Sequence, residues 1–225
     1  TKDEVLERLN DKFDISQNKN KVGHLFFYGA GCGTNRMKDF LTKVFEDYFP
    51  NAVVSVHEDT YAAVYATTPK NEKAIVSILG TGSNCSYFDG KKKKKKVQSL
   101  GYIAMDDCSG NRFGRHLLRG YYFNNMPKTM AKEFEEEYNL EPDYIKNNLY
   151  KEPNPNAYLA TFAKFLIKHK DQEFCKKLIK KEMKSFVKNY IMQYDNYKEV
   201  PVHFIGSIAF YLKDELEIML NKYEI

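Results

Sequence analysis

The apolar positions of this chain change period several times along its length, and each change marks an element. Val5, Leu6, Leu9 and Phe13 recur at helical spacing and predict an amphipathic helix over residues 2–13. Val22 to Tyr28 is a continuous apolar and aromatic run. It ends in Gly29-Ala30-Gly31-Cys32-Gly33, so it reads as a buried strand entering a tight turn. Met37, Phe40, Leu41, Val44 and Phe45 return to helical spacing and predict a helix over 35–48 with these five side chains facing inward. Ala52 to Val56 predicts a short strand, and the small apolar stretch Tyr61 to Thr67 opens a packed helix. Strand and helix alternating in this way predict a layered α/β domain.

Pro69-Lys70-Asn71 interrupts the pattern and sets the expected boundary, dividing residues 1–68 from 69–225. Ala74 to Leu79 then reads as a buried strand. Ser86 to Phe88 and Val97 to Ile103 are expected to pair as a hairpin around Lys91 to Lys96. From Ser109 to about Tyr194 the period is helical, punctuated by Pro127, Pro142, Pro153 and Pro155. Pro201 to Ile205 predicts a last strand, and Gly206 opens a final helix through Leu212, Leu216 and Leu220. No internal repeat is visible.

Composition narrows the class. A chain of 225 residues with 43% hydrophobic content can bury a core in one large or two small domains. No run of about 18 apolar residues is present, so no membrane partner is expected. No charged-then-apolar leader opens the chain, although it begins at Thr1 rather than Met, so an upstream segment is expected. Cys32, Cys85, Cys108 and Cys175 are unevenly spaced with no CxxC pair. That usage fits the reducing cytoplasm and four buried thiols better than a disulfide framework or a zinc site. The net charge of +5 is concentrated at Lys91 to Lys96. A basic run can bind nucleic acid, but this one follows Asp89-Gly90, a hairpin signal, and no aromatic residue interleaves it to stack bases. A solvated turn with no nucleic-acid partner is therefore expected.

Four segments carry candidate chemistry. In Gly80-Thr81-Gly82-Ser83 an apolar strand delivers the chain into a glycine-bracketed turn. Glycines let backbone approach a phosphate closely, and successive amides can then face the anion with Thr81 and Ser83 hydroxyls beside them. The plain alternative is an ordinary β-turn, and no Gly-Lys-Ser/Thr follows to make a Walker loop. His57-Glu58-Asp59-Thr60 places carboxylates just past a strand end, where α/β enzymes put catalytic groups; Asp59 alone also reads as a helix cap. A zinc helix is excluded at His57-Glu58, because Tyr61 stands where the second histidine would be. Leu100 to Gly110 ends an apolar stretch in Asp106-Asp107-Cys108-Ser109, acids that either cap a helix or bind a ligand. His203-Phe204-Ile205-Gly206-Ser207 joins a strand to a helix through Gly-Ser, which admits a ligand at the helix start or is a tight connection only.

The order of these segments, with the Phe27 to Cys32 turn, resembles the sugar kinase, heat-shock and actin superfamily over nearly the whole chain. Within it the chain resembles the N-acetylglucosamine kinase branch, which shares a family with the activator ATPases of 2-hydroxyacyl-CoA dehydratases. The resemblance implies a two-lobed, actin-like (ribonuclease H-like) ATPase fold and transfer of phosphate from ATP, with Mg²⁺, to a sugar hydroxyl. It implies Asp59 as general base, Gly80, Thr81, Gly82 and Ser83 as the second phosphate loop, Gly206 and Ser207 on the adenosine side, and Asn84, Gly101 and Asp106 against the sugar. It also allows a homodimer. Three departures stand out. No Asp-Gly-Gly-Thr-like first phosphate loop opens the chain, so the first lobe, residues 1–68, is expected to be incomplete and short of strands. The family's Asp-Glu-Gly-Ser is Asp106-Asp107-Cys108-Ser109 here, and Leu100 replaces a tryptophan of the mammalian enzyme. Two other functions share the fold: an activator ATPase coupled to electron transfer, disfavoured by the scattered cysteines, and a non-catalytic sugar or nucleotide sensor.

Overall fold

The computed structural model describes residues 1–29 and 31–225; Ala30, within the Phe27 to Cys32 turn, lies outside the described residues. The chain divides into two compact units, Thr1–Ala66 and Thr67–Ile225.

In the first unit, β1 (His24–Gly29) and β2 (Val53–Glu58) pair in parallel, with His24 opposite Val53 and Gly29 opposite Glu58. Parallel neighbours need a crossover, and α3 (Asn35–Tyr48) supplies it. Thr34 caps α3 by accepting the Met37 amide at 3.3 Å. Leu41, Val44 and Phe45 face inward as expected, whereas Met37 and Phe40 are exposed, because the buried stripe is narrower than the apolar one. The expected first helix is two: α1 (Lys2–Asn10), closed by a capping box of Thr1 and Glu4, and α2 (Phe13–Asn18). Phe13 opens α2 and is 73% exposed, so it does not share the face of Val5, Leu6 and Leu9. α4 (Asp59–Thr67) follows β2 without a loop.

The second unit carries a sheet in the order β5-β4-β3-β6. β3 (Lys73–Leu79) is central, antiparallel to β4 (Ser83–Asp89) and parallel to β6 (Val202–Ile205). Its Ala74 to Ser77 are buried consecutively, which is why it reads as a continuous apolar run rather than an alternation. The expected hairpin partner of β4 is displaced. Residues 97–103 are irregular, and the lysine run itself provides β5 (Lys93–Lys94), paired with Tyr87 and Phe88. Asp89 fixes that turn by accepting the amides of Lys91 (3.0 Å) and Lys92 (2.8 Å) and pairing with Lys94 at 2.8 Å.

Between β5 and β6 the chain is helical: α5 (Gly110–Tyr122), α6 (Lys128–Glu137), α7 (Pro142–Tyr150), α8 (Pro155–Thr161), α9 (Ala163–Lys168) and α10 (Glu173–Asn189). Phe113, Leu117, Phe134, Phe162, Phe165 and Phe186 fill the core among them. α5 and α8 pack backbone to backbone at Gly114, where a Cβ would stand 1.8 Å from the Leu159 carbonyl oxygen. After β6 the expected single helix breaks at Leu212 into α11 (Ser207–Tyr211) and α12 (Lys213–Lys222).

Glu182, on the core side of α10, is 1% exposed. A carboxylate so buried is stable only when hydrogen-bonded. Glu182 accepts the Cys108 amide at 3.2 Å and Arg112 Nε at 3.4 Å, and lies 2.6 Å from His116 Nε2. Burial pushes its carboxyl up, but the bonds from His116 and the Cys108 amide, with the charges of His116 and Arg112, outweigh burial and hold it below its ordinary value. A carboxylate with a depressed folded pKa adds stability that is complete above its unfolded value and is lost as pH falls through the folded one. Glu182→Gln should therefore cost about 1.5–3 kcal/mol at neutral pH, the scale of a hydrogen bond to a charged group. Thermal unfolding of both proteins from about pH 7 to pH 3 should show that gap narrowing towards acid. A gap independent of pH would mean that the buried carboxyl carries no charge in the fold.

Candidate functional site

The turn Gly80-Thr81-Gly82 joins β3 to β4, closed by the Gly80 amide on the Gly82 carbonyl at 3.0 Å. It sits at the carboxyl end of β3. The start of α5 grips it from one side. The Gly110 amide donates to the Gly80 carbonyl at 2.7 Å and the Asn111 amide to the Thr81 carbonyl at 3.0 Å. Asn111 Nδ2 adds a second bond to the Thr81 carbonyl at 2.7 Å. All peptides here are trans, so the N–H of each peptide plane points opposite to its C=O. With the carbonyls of Gly80 and Thr81 turned into α5, the amides of Thr81 and Gly82 point away from it. Neither amide has a backbone partner among the described residues. The helix start thus spends its own donors on the turn and presents the turn's donors outward.

Gly206 closes a second side. Its φ of +114° lies outside the range of ordinary L residues, and a Cβ there would meet the Leu79 carbonyl oxygen at 2.4 Å and the Gly80 nitrogen at 3.2 Å. Parallel pairing of Ile78 with Ile205 brings it there, so Gly206 stands against the turn and Ser207 follows it as the first residue of α11. Around the turn there is room: a Cβ on Gly80 would have nothing within 4 Å. Ser83 Oγ is buried and has no hydrogen-bond partner among the described residues.

Asp106 closes the third side. Its Oδ2 lies 2.6 Å from the position of a Cβ on Gly82, so any side chain at 82 would displace the Asp106 carboxylate. The carboxylate accepts Asn111 Nδ2 at 3.1 Å, and the nearby Ser83 amide favours its charged form. Burial pushes its carboxyl above the ordinary value, against the Asn111 bond, the Ser83 amide and the nearby charge of Arg115. The sequence places Asp106 and Asp107 at the end of an apolar stretch that begins in the expected strand Val97 to Ile103. They are instead in an irregular segment, and backbone twist separates them. Asp106 has φ +66° and Cys108 φ +59°, both left-handed. Asp107 turns to α10, where it accepts Ser185 Oγ at 2.7 Å and Asn189 Nδ2 at 3.0 Å. Ser109 then caps α5, donating to the Asp106 carbonyl at 2.6 Å and accepting the Arg112 amide at 3.3 Å.

Gly101 sits at φ +81° and accepts the Met105 amide at 2.9 Å, which bends the chain towards Asp106. Asn84, opposite Ile78 in the β3–β4 register, is half-buried. The structure thus gathers Gly80, Thr81, Gly82, Ser83, Asp106, Gly206 and Ser207 around one turn. Two participants were missed from the pattern. Asn111 followed Ser109-Gly110 as a polar residue in a first helical turn. Glu182 fell on the apolar stripe of Ile179, Met183 and Phe186, where a charge is a signal in itself.

Asp59 belongs to the first unit, as the first residue of α4. Its Oδ1 accepts the Thr60 amide at 2.8 Å. Burial, then the charges of Asp59 and more weakly Glu58, push the Cys32 thiol up, and the Glu58 carboxyl lies near Gly33, so these groups share one neighbourhood at the ends of β1 and β2. Tyr28, His57, Tyr61 and Tyr65 form a ring cluster beside it, with centroids 5.4 Å apart for Tyr28 and His57 and 5.8 Å for His57 and Tyr61. All four cysteines are free and buried. Among the described residues, no three His, Cys, Asp or Glu side chains are grouped to hold a metal, and no helix is long and apolar enough to cross a membrane.

No protein-family model and no curated protein sequence matches the chain. Solved structures do. A putative N-acetylglucosamine kinase from Porphyromonas gingivalis superposes with a TM-score of 0.87 at 31% identity, covering 94% of this chain and 74% of that one. A putative N-acetylglucosamine kinase from Chromobacterium violaceum superposes with a TM-score of 0.65 over 98% of this chain and 78% of that one; its 17% identity speaks to the fold alone. At 31% identity over nearly its whole length, the chain belongs to the family of the Porphyromonas gingivalis protein.

Proposed function

We propose that the chain transfers a phosphoryl group from ATP to a hydroxyl of N-acetylglucosamine or a related amino sugar. The observation that carries this reading is the direction of the Thr81 and Gly82 amides, held outward by the grip of α5 on the turn's carbonyls. Two parallel N–H groups on a glycine-bracketed turn are an anion cradle. The residues fit a nucleotide phosphate: open space over Gly80, a buried Ser83 hydroxyl without a partner, and Gly206-Ser207 alongside. The family relative, itself described as a putative N-acetylglucosamine kinase, supports the acceptor class.

ATP would supply the phosphoryl group, and Mg²⁺ accompanying it would supply charge neutralisation, with the Gly80 to Ser83 turn holding the phosphates. The chain's residues do the rest. The amides of Thr81 and Gly82 and the Ser83 hydroxyl hold phosphate oxygens and meet charge as it develops. Asp59 takes the proton of the attacking hydroxyl. Asp106 has the geometry for two tasks, since it braces the turn through Asn111 and its remaining lone pairs can accept sugar hydroxyls. An activator ATPase that shares an iron–sulfur cluster between subunits needs thiolates at its surface, whereas here every cysteine is buried.

A coupled assay of ADP release across a panel of sugars tests the activity. N-acetylglucosamine should stimulate release and yield a sugar phosphate; ATP hydrolysis indifferent to every sugar would reject the reading. Within that assay, Asp59→Asn should lower kcat by about 10²-fold or more with small changes in both KM values. Near-normal turnover would reduce Asp59 to a helix start. Gly82→Ala puts a methyl where the Asp106 carboxylate lies, so both the ATP and sugar KM should rise. Asp106→Asn separates the two tasks of that residue: a rise mainly in the sugar KM is expected, and a rise confined to ATP would leave Asp106 as a brace only.

A further inference from the structure

A cavity of about 540 Å³ opens on the helical side of the second unit, along α5 beyond its first turn. Its floor is aliphatic, with Leu118 and Leu159, and its walls are aromatic, with Tyr122 and Phe123. Two guanidinium groups line it, one turn apart on α5. Arg115 donates to the Tyr102 carbonyl at 2.8 Å and the Ile103 carbonyl at 3.4 Å. Arg119 lies over the Phe123 ring at 4.9 Å. Among the described residues neither arginine has a carboxylate within salt-bridge distance; Arg115 acts on Asp106 only through longer-range attraction. Apolar side chains continue at the rim, where Ile103 and Tyr150 are largely exposed.

A cavity of this size, mostly apolar with a few convergent polar groups, is the form of a small-molecule site. Its charge is one-sided. Carbonyl partners and a ring face hold the two guanidinium planes in place without neutralising them, so each keeps N–H donors and a full charge for an incoming acid. We propose that this cavity binds a small organic anion with an aromatic or otherwise apolar body, its acid on Arg115 and Arg119 and its body against Tyr122, Phe123 and Leu159. Neither the turn nor Asp106 lines this cavity, and the proposal stands independently of the kinase reading.

The test compares 3-phenylpropionate with 3-phenylpropionamide, which share a body and differ in charge, by titration calorimetry on the whole chain. The acid should bind about tenfold more tightly than the amide, the effect of a charge-assisted hydrogen bond. Arg115→Gln should remove that preference. Arg115 also steadies the Tyr102–Ile103 backbone, so Arg119→Gln, an exposed position that holds no other element, is the second variant and should weaken the acid by a similar factor. Equal binding of acid and amide, binding unchanged in both variants, or no binding at all would overturn the proposal. So would a dimer that Tyr150→Asp disperses and that excludes the acid, since the face would then belong to a second copy of the chain.

Discussion

Two backbone hydrogen bonds, from Gly110 to the Gly80 carbonyl and from Asn111 to the Thr81 carbonyl, set which way the Gly80-Thr81-Gly82 turn faces. A helix start has amides with no partner in their own helix, and such ends usually await a side-chain cap, water or a ligand. Here α5 gives its first two to the turn and the third to its own Ser109 hydroxyl. A helix start used in this way cannot hold an anion itself. It acts one step removed, by rotating two peptide planes so that their N–H groups project outward. A free glycine-rich turn would sample many orientations of those planes. This one has its orientation fixed before any ligand arrives, which is the condition for a donor array to stabilise developing charge without reorganising.

Holding α5 in that position falls to contacts further along it. Gly114 lets the backbone of α8 approach more closely than any side chain would allow, and Arg112 and His116 reach Glu182 on α10. Glu182 also accepts the amide of Cys108, one residue before the α5 cap, and Ser185 and Asn189 on the same helix take Asp107. Two left-handed non-glycine residues within three positions, Asp106 and Cys108, are costly on their own. The bonds from α10 offset that cost, and the resulting twist is what sends Asp106 to the turn and Asp107 into the protein. The buried carboxylate of Glu182 therefore belongs to the positioning of the turn as much as to the core.

Much of this was legible in the sequence, for identifiable reasons. α3 and the strands β1, β2, β3 and β6 follow from apolar runs bounded by glycine, proline or polar residues, because both burial and chain reversal leave compositional marks. The Gly80 to Ser83 turn and Gly206 were visible because the backbone there needs glycine: close approach at Gly82, and at Gly206 a positive φ as well. Residues 97–103 misled because Val97, Leu100, Tyr102 and Ile103 read as an apolar strand run, whereas Leu100 and Ile103 are exposed and the pairing edge of β4 is taken by Lys93 and Lys94. Strand formation at that edge is decided by the Asp89 turn, whose bonds to the next two amides bring the lysines back along β4. Met37 and Phe40 misled for a related reason: periodicity marks an apolar face without saying how wide a strip of it the neighbouring elements cover.

What periodicity could not supply was the partnership of residues far apart in sequence. Asn111 was an ordinary polar residue until the Thr81 carbonyl came to it across the fold, and Arg112, His116 and Glu182 were three charges on two helices. Their common origin is the helical stretch between β5 and β6. It must cross from the antiparallel edge of the sheet to the parallel neighbour of β3, and a crossover of that kind needs helices packed on the sheet's face. Once α5 lies there with its start at the end of β3, its first turn meets the Gly80-Thr81-Gly82 turn and its later turns meet α8 and the Tyr102–Ile103 backbone. Every fourth residue on a helix returns to the same side. Asn111 and Arg115 are so related, the first bonded to the turn and the second to the backbone that leads to Asp106. Arg115 and Arg119 continue the same row into the cavity. The single row Asn111, Arg115, Arg119 thus runs from the Gly80-Thr81-Gly82 turn to the aromatic cavity, and a polar residue repeated at that spacing is the trace it leaves in the sequence.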